Sequence, residues 1–184
     1  MTEWITQIDF SVLYAIQGTL RCAWPDLLMP VITRLGDAGI IWLLAAGILL
    51  LIPRYRRAGV LLLAGLAAGI LLGNVIMKPL IARPRPCWID TTVPMLIPVP
   101  SDHSFPSGHT LSSVIAATIL TATDRRFAFA AIPLAAPIAF SRLYLFVHYP
   151  SDVLASVILG IAIGAAVWKG GGALLRRASA RRKR

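Results

Sequence analysis

Three short clusters hold residue types suited to moving a phosphate. Lys78, Arg83 and Arg85 close an uncharged run, Pro106, Ser107, Gly108 and His109 open another, and Ser141 and Arg142 are followed by His148 and then by Asp152, four residues on. Guanidinium groups match phosphate oxygens in bidentate fashion. Ser107 can cap a helix whose first free N–H groups would add directed donors to an anion site. Two histidines can then divide the chemistry. A neutral imidazole attacks phosphorus if its other nitrogen is held by a carboxylate, and a second imidazole protonates the departing oxygen. His148 with Asp152 fits the nucleophile and its orienter, and His109, beside the phosphate-binding turn, fits the acid.

These clusters need elements to bring them together, and the elements read as membrane spans. Ala58 to Met77 is an uncharged run of 20 residues whose one strongly polar side chain is Asn74, and Val153 to Trp168 is a second apolar run. A run of about 20 apolar residues is long enough to span a bilayer. Gly65, Gly69 and Gly73 share one face of the first run, and Gly160 and Gly164 form a pair in the second. That spacing either admits a neighbouring helix at close range or marks a merely glycine-rich helix. Three shorter uncharged stretches are Gly39 to Ile52, Thr110 to Thr123 and Phe127 to Phe140. Fourteen residues of helix rise only about 21 Å against a hydrocarbon core of about 30 Å. These helices are therefore expected to extend into their polar flanks, which draws Arg34 and Asp37, Ser107 and His109, and Ser141 and Arg142 toward one membrane interface, where ionisable groups point to function. Trp4 to Leu20 is interrupted by Gln7, Asp9 and Gln17. It reads as an interfacial amphipathic helix or, preferably, as a short tilted span. The expected fold is all-α, a polytopic transmembrane bundle of six helices.

Positive charge orients the bundle. Twelve of the eighteen Lys and Arg residues fall on one side, in the loops at Arg54 to Arg57 and Arg125 to Arg126 and in the tail from Lys169 onward. By the positive-inside rule that side is cytoplasmic, as is the C-terminus, and the clusters face outward. The basic tail, 169–184, reads as a topology signal and a contact for anionic lipids rather than for nucleic acid. Seven of the thirteen prolines lie between Pro79 and Pro106, so the long outward loop is a stiff irregular cap and not another span.

Composition excludes the alternatives. With 57% hydrophobic and 14% charged residues and a mean hydropathy of +0.74, the chain is too apolar for a soluble domain of its size. A net charge of +10 would suggest nucleic acid in a soluble protein, but here it follows the topology. Cys22 and Cys87 form no metal-binding or redox spacing and do not establish a disulfide. The N-terminus lacks a signal-peptide pattern, so the apolar segments are expected to stay in the mature protein. Arg21 and Arg34 read as snorkelling anchors. For Arg83, auxiliary phosphate contact and solvated loop charge are both open. His103 reads as a loop residue, and Trp4, Trp24, Trp42, Trp88 and Tyr149 as an interfacial aromatic belt.

The three clusters, in this order and spacing, resemble the signature of the type 2 phosphatidic acid phosphatases, whose phosphate site is shared with vanadium haloperoxidases and some soluble acid phosphatases. Lys78, Arg85, Pro86, Pro106, Ser107, Gly108, His109, Ser141, Arg142, His148 and Asp152 meet every fixed position. The resemblance implies that Lys78, Arg85, Ser107, Gly108 and Arg142 hold the phosphate, that His109 is the general acid, and that His148 is the nucleophile partnered by Asp152. It implies no metal and no cofactor. It further implies one integral membrane phosphatase domain over 1–184, with its motif-bearing core at 58–168, in the cell (inner) membrane. The expected reaction is hydrolysis of a terminal lipid phosphate on the extracytoplasmic side, with undecaprenyl diphosphate preferred over phosphatidylglycerophosphate, phosphatidic acid or lipid A. A non-catalytic phospholipid-binding protein or transporter is the rival from another class. The oligomeric state is left open.

Overall fold

The computed structural model describes residues 3–181, with side chains to 171, and helix is the only regular secondary structure among them. Of the basic tail, Arg182, Lys183 and Arg184 and the side chains of Arg176, Arg177 and Arg181 lie outside the described residues. The long elements are α1 (Glu3–Leu20), α2 (Ala23–Leu35), α3 (Ile40–Leu51) and α4 (Arg56–Gly69). A π-helical turn, Ile70–Met77, leads from α4 into the short α5 (Lys78–Ile81), and α6 (Pro86–Ile89) lies in the proline-rich loop. Then come α7 (Gly108–Thr123), α8 (Ala128–Tyr144) and α9 (Pro150–Arg181).

Helix α7 is the axis of the bundle, and α4, α8 and α9 pack around it. The core between them is built from Leu61, Leu62 and Leu66 of α4, Leu111, Ile115 and Ile119 of α7, and Ile138 of α8. Glycines set the helix spacing. A Cβ at Gly65 would sit 2.7 Å from Ile119 Cδ1, one at Gly69 2.6 Å from Ile115 Cδ1, and one at Gly73 2.6 Å from Leu111 Cδ2. On the other flank of α7, a Cβ at Gly160 or Gly164 would meet Val114 or Thr118 at 2.8 Å. Both glycine faces thus serve close approach, which matters in lipid because packing rather than exclusion of water holds helices together. Gly65→Val, remote from the polar end, should lower the melting temperature of the detergent-purified protein through overpacking worth about 1–3 kcal/mol. A melting temperature equal to that of the parent would mean that α4 can recede from α7 at no cost.

The outer surface is apolar. Ile48, Phe129, Leu154 and Ile158 are among many large hydrophobic side chains turned away from the core. Three segments are long and apolar enough to cross a bilayer: Arg56–Ile89, Arg125–Tyr144 and Pro150–Gly171. A fourth crossing arises if α2 and the segment through α3, bent by 44°, act as one broken span.

At the polar end, α7 and α8 extend as expected. Helix α7 starts at Gly108 under a Ser107 cap, and α8 carries Ser141 and Arg142 inside its last turn. The third expected extension fails. Ahead of α3 the chain turns through Ala38 and Gly39, both left-handed at φ 49° and 68°, and continues into α2, a helix the uncharged runs did not indicate. A left-handed alanine costs about 1–2 kcal/mol, whereas Gly39 adopts the same conformation freely. Helix α1 contacts this same end. Asp9 meets Arg83 and Ser151, Tyr14 meets Asp90, Gln17 reaches the Tyr144 carbonyl, and Arg21 reaches the Pro94 carbonyl. Twelve residues of helix rise about 18 Å, so α1 lies across the end of the bundle instead of running along it. Of the five aromatic residues expected at an interfacial belt, Trp42 and Tyr149 are buried instead. The Trp42 indole donates to Ser113 Oγ of α7 at 2.9 Å, a partner that lets an indole N–H stay inside.

Candidate active site

The polar end encloses a cavity of about 690 Å³ whose wall includes Lys78, Arg85, Gly108, His109, Arg142 and His148. Its cations arrive from three elements. Lys78 follows the π-helical turn, whose wider winding shifts the face on which the next residues emerge. Arg85 sits just before α6, and Arg142 in the last turn of α8. All three are buried.

Each cation is held in place by neighbours. Lys78 Nζ donates to the Asp102 carboxylate. Arg85 Nη2 donates to Asp102 Oδ1 at 2.7 Å, its Nε to the Asp102 carbonyl at 2.6 Å, and its Nη1 to the Val147 carbonyl at 2.7 Å. Arg142 donates through Nη1 to Thr33 Oγ1, while its buried Nε has no partner. Burial works against ionisation of Asp102, but Lys78 and Arg85 outweigh it and hold that carboxyl far below the usual range.

His148 lies in the tight turn between α8 and α9, fastened by the 3.3 Å bond from its own N–H to the Arg142 carbonyl. Its Nε2 is 3.1 Å from Arg85 Nη1. Because a guanidinium can only donate, Nε2 carries the lone pair and Nδ1 the proton. Nδ1 faces Asp152 Oδ2 at a long 3.5 Å. Burial pushes the His148 pKa well below the ordinary imidazole range and Arg85 and Arg142 push the same way, against the opposing pull of Asp152. The neutral ring is thus favoured, with the Nε2 lone pair directed at Arg85 Nη1 on the cavity wall. Across the cavity, His109 Nε2 is 2.9 Å from Asp37 Oδ1.

Three of the expected site residues stand behind the wall. Ser107 is fully buried and its Oγ accepts from Thr110, as a helix cap. Its N–H is taken by Ser156 Oγ at 2.9 Å, which leaves the first-turn N–H groups of Gly108 and His109 as the free donors of the helix start. Asp152 is fully buried and accepts from Tyr149 N–H at 3.0 Å, from Ser104 Oγ and from Arg83. Arg83 is itself buried, and its guanidinium points to Asp9 and Asp152 with its Cζ 3.7 Å from the Tyr149 ring centroid. It neither lines the cavity nor meets solvent as a loop charge. His103 packs against the Trp88 ring. Arg34, read as an anchor, lies on the cavity wall. Among the described residues no three His, Cys, Asp or Glu side chains converge as a metal site requires, and Cys22 and Cys87 are free thiols.

The profile of the PAP2 superfamily matches residues 57–175, a stretch that carries all three clusters. The chain belongs to the PAP2 superfamily. A decaprenylphosphoryl-5-phosphoribose phosphatase of Mycobacterium tuberculosis is 33% identical over 176 residues, covering 94% of this chain and 96% of that protein. An undecaprenyl-diphosphatase of Sulfolobus acidocaldarius is 35% identical over 121 residues, 65% of this chain but only 58% of the archaeal protein. In structure, the transmembrane PAP2 type phosphatidylglycerolphosphate phosphatase of Bacillus subtilis superposes with a TM-score of 0.74 at 26% identity, over 93% of this chain and 87% of that one. This PAP2 chain is therefore a membrane protein and an enzyme that hydrolyses phosphate esters.

Sequence reasoning overlooked the residues that hold the PAP2 set in place. Asp102 lies in an irregular loop with no periodicity to single it out, and Thr33 in an unassigned helix. Asp37 stood out only as an ionisable group near the interface, and Asp9 only as an interruption of an apolar run.

Proposed function

We propose that this hydrolase is a metal-independent lipid phosphatase of the cell (inner) membrane. In this reading it converts undecaprenyl diphosphate to undecaprenyl phosphate on the extracytoplasmic face through a phosphohistidine. The observation that carries the reading is the mixed lining of the cavity, where Lys78, Arg85, Arg142, His109 and His148 share the wall with Leu43, Leu66, Ile70, Leu96, Ile97 and Val99. Such a site favours a phosphate that carries an apolar chain.

Lys78, Arg85, Arg142 and the N–H groups of Gly108 and His109 hold the terminal phosphate, with Ser107 fixing the helix start. His148 Nε2 attacks phosphorus as the P–O bond to the lipid breaks, and His109 gives its proton to the departing oxygen. Asp152 stabilises the charged imidazole that results. Water, deprotonated by His109, then cleaves the P–N bond and releases phosphate. A second reading, a polyprenylphosphoryl phosphoribose as substrate, is favoured by the nearly full-length likeness to the mycobacterial protein. Phosphatidylglycerophosphate, phosphatidic acid and lipid A complete the set to be compared. Phosphate release from these lipids by the purified protein, with EDTA present throughout, separates them. Loss of activity in EDTA with recovery in magnesium would overturn the metal-independent mechanism, and binding without turnover of any lipid would favour a carrier.

The whole chain, 1–184, works as one domain. In place of six spans, we read five crossings (the bent α2–α3 pair, α4 with its π-helical extension, α7, α8 and α9) with α1 at the outer interface. The basic loops and the tail then face the cytoplasm, the tail against anionic lipids. In a background lacking Cys22 and Cys87, Thr91→Cys should react with an impermeant maleimide on intact spheroplasts, whereas Arg125→Cys should react only after the membrane is opened. The reverse pattern would put the site in the cytoplasm.

A further inference from the structure

Asp9 and Arg83 form a buried ion pair that the proposed chemistry does not use, in a region where an unpaired charge is costly to hide. Asp9 Oδ2 accepts from Arg83 Nη2 at 2.7 Å and from Ser151 Oγ at 2.5 Å, and its Oδ1 accepts from Ser151 N–H at 2.9 Å. The other arm of the guanidinium, Nη1, donates to Asp152 Oδ1 at 2.5 Å and to Ser151 Oγ at 2.8 Å. The Arg83 backbone joins the same unit, since its carbonyl accepts from Ser104 N–H at 2.9 Å, and Ser104 Oγ donates to Asp152 Oδ2. One oxygen of Asp152 is thus held by Arg83 itself and the other by Ser104, which Arg83 places, together with the Tyr149 N–H, and Arg83 is itself fixed by Asp9. A planar fork bridging two carboxylates is something lysine cannot reproduce.

We propose that Asp9 and Arg83 are positioning residues that set the Asp152 carboxylate against His148 Nδ1, so that α1, which lies outside the matched family segment, is part of the catalytic apparatus. The inference rests on the reading of His148 as nucleophile. The 3.5 Å from Nδ1 to Asp152 leaves little tolerance. A displacement of about 1 Å at a catalytic group can cost about 10²-fold in rate. Because neither residue lines the cavity, their loss should act on turnover and not on phosphate binding.

The test uses the full-length protein in detergent with farnesyl diphosphate as a soluble polyprenyl probe and vanadate as a phosphate-site probe. Arg83→Gln should lower kcat about 100-fold and Asp9→Asn about 10-fold, with KM and the vanadate inhibition constant within about threefold of the parent. Arg83→Lys should recover only part of the loss, and the Asp9→Asn/Arg83→Gln double variant should be no worse than Arg83→Gln alone, as expected of one unit. An Arg83→Gln enzyme with parental kcat overturns the proposal, as does a loss that appears in KM and vanadate affinity, which would make Arg83 a phosphate ligand. If Arg83→Gln does not fold, Asp9→Asn decides, because it keeps the arginine on Asp152, and a parental kcat there overturns the proposal. His148→Ala is run alongside. Should it retain turnover, the nucleophile reading itself fails. Should it be inactive while Asp9→Asn and Arg83→Gln behave as the parent, only the positioning role is lost.

Discussion

Replacing His148 by alanine should leave turnover at background, a loss on the order of 10⁴-fold or more, as expected when a nucleophile is removed and binding groups remain. The cause is the geometry around Nε2. Arg85 Nη1 at 3.1 Å fixes the tautomer, and burial favours the neutral ring, so attack needs no prior loss of a proton, only that Arg85 turn from Nε2 to a phosphate oxygen. The neighbouring guanidinium groups of Arg85 and Arg142 lack lone pairs, and His109 faces Asp37. The lipid should still bind, and calorimetric titration with uncleaved substrate measures that. Rapid quenching of the parent enzyme with phosphorus-labelled substrate in alkali, where a phosphohistidine survives, should trap label on the protein. The same quench of His148→Ala should trap none. Substantial activity in His148→Ala, or label that persists in it, would assign the attack to another group.

Arg142→Leu should lower kcat/KM about 10²–10³-fold, the range found when a preorganised donor to developing charge is deleted. This guanidinium is buried, tied at Nη1 to Thr33, and keeps a buried Nε–H without a partner. A buried donor left unmade costs free energy in the empty enzyme, and a phosphate oxygen would satisfy it. Arg142→Lys should recover little, since an ammonium on that stem supplies charge but no fork. Vanadate should inhibit both variants more weakly than the parent. If Arg142→Leu binds vanadate as the parent does, the Nε–H serves no phosphate, and Arg142 serves only to hold the turn that carries His148.

The groups assigned to chemistry were legible in the sequence because their spacing is rigid. Arg142 and His148 are joined by one tight turn, and Ser107 to His109 form a single helix start, so chain distance and spatial distance agree. The glycine faces were legible for a similar reason, since helical periodicity turns a four-residue repeat into a groove. What was hidden lies where chain distance says nothing about space. Asp9 and Arg83 are 74 residues apart, and Thr33 and Arg142 are 109 apart. No periodicity marks Asp102, held by Lys78 and Arg85 from within a proline-rich loop. Trp42 was misplaced because an indole reads as a membrane-edge residue until a buried partner, here Ser113, is known. Helix α1 was ambiguous since its polar residues suit water and protein equally well, and only their partners at the end of the bundle distinguish the two.

Asp102 gives the cationic cluster an anion before any lipid arrives. Its carboxylate bridges Lys78 and Arg85, two of the charges assigned to the phosphate. If Lys78 and Arg85 hold the phosphate as proposed, substrate entry is an exchange of one anion for another, and the affinity measured is the difference between the two. That difference is smaller than a bare cluster of buried cations would give. When phosphate departs, the tethered carboxylate is at hand at the high effective concentration of an intramolecular partner. A site with such a built-in competitor for its cations is less easily stoppered by its own product.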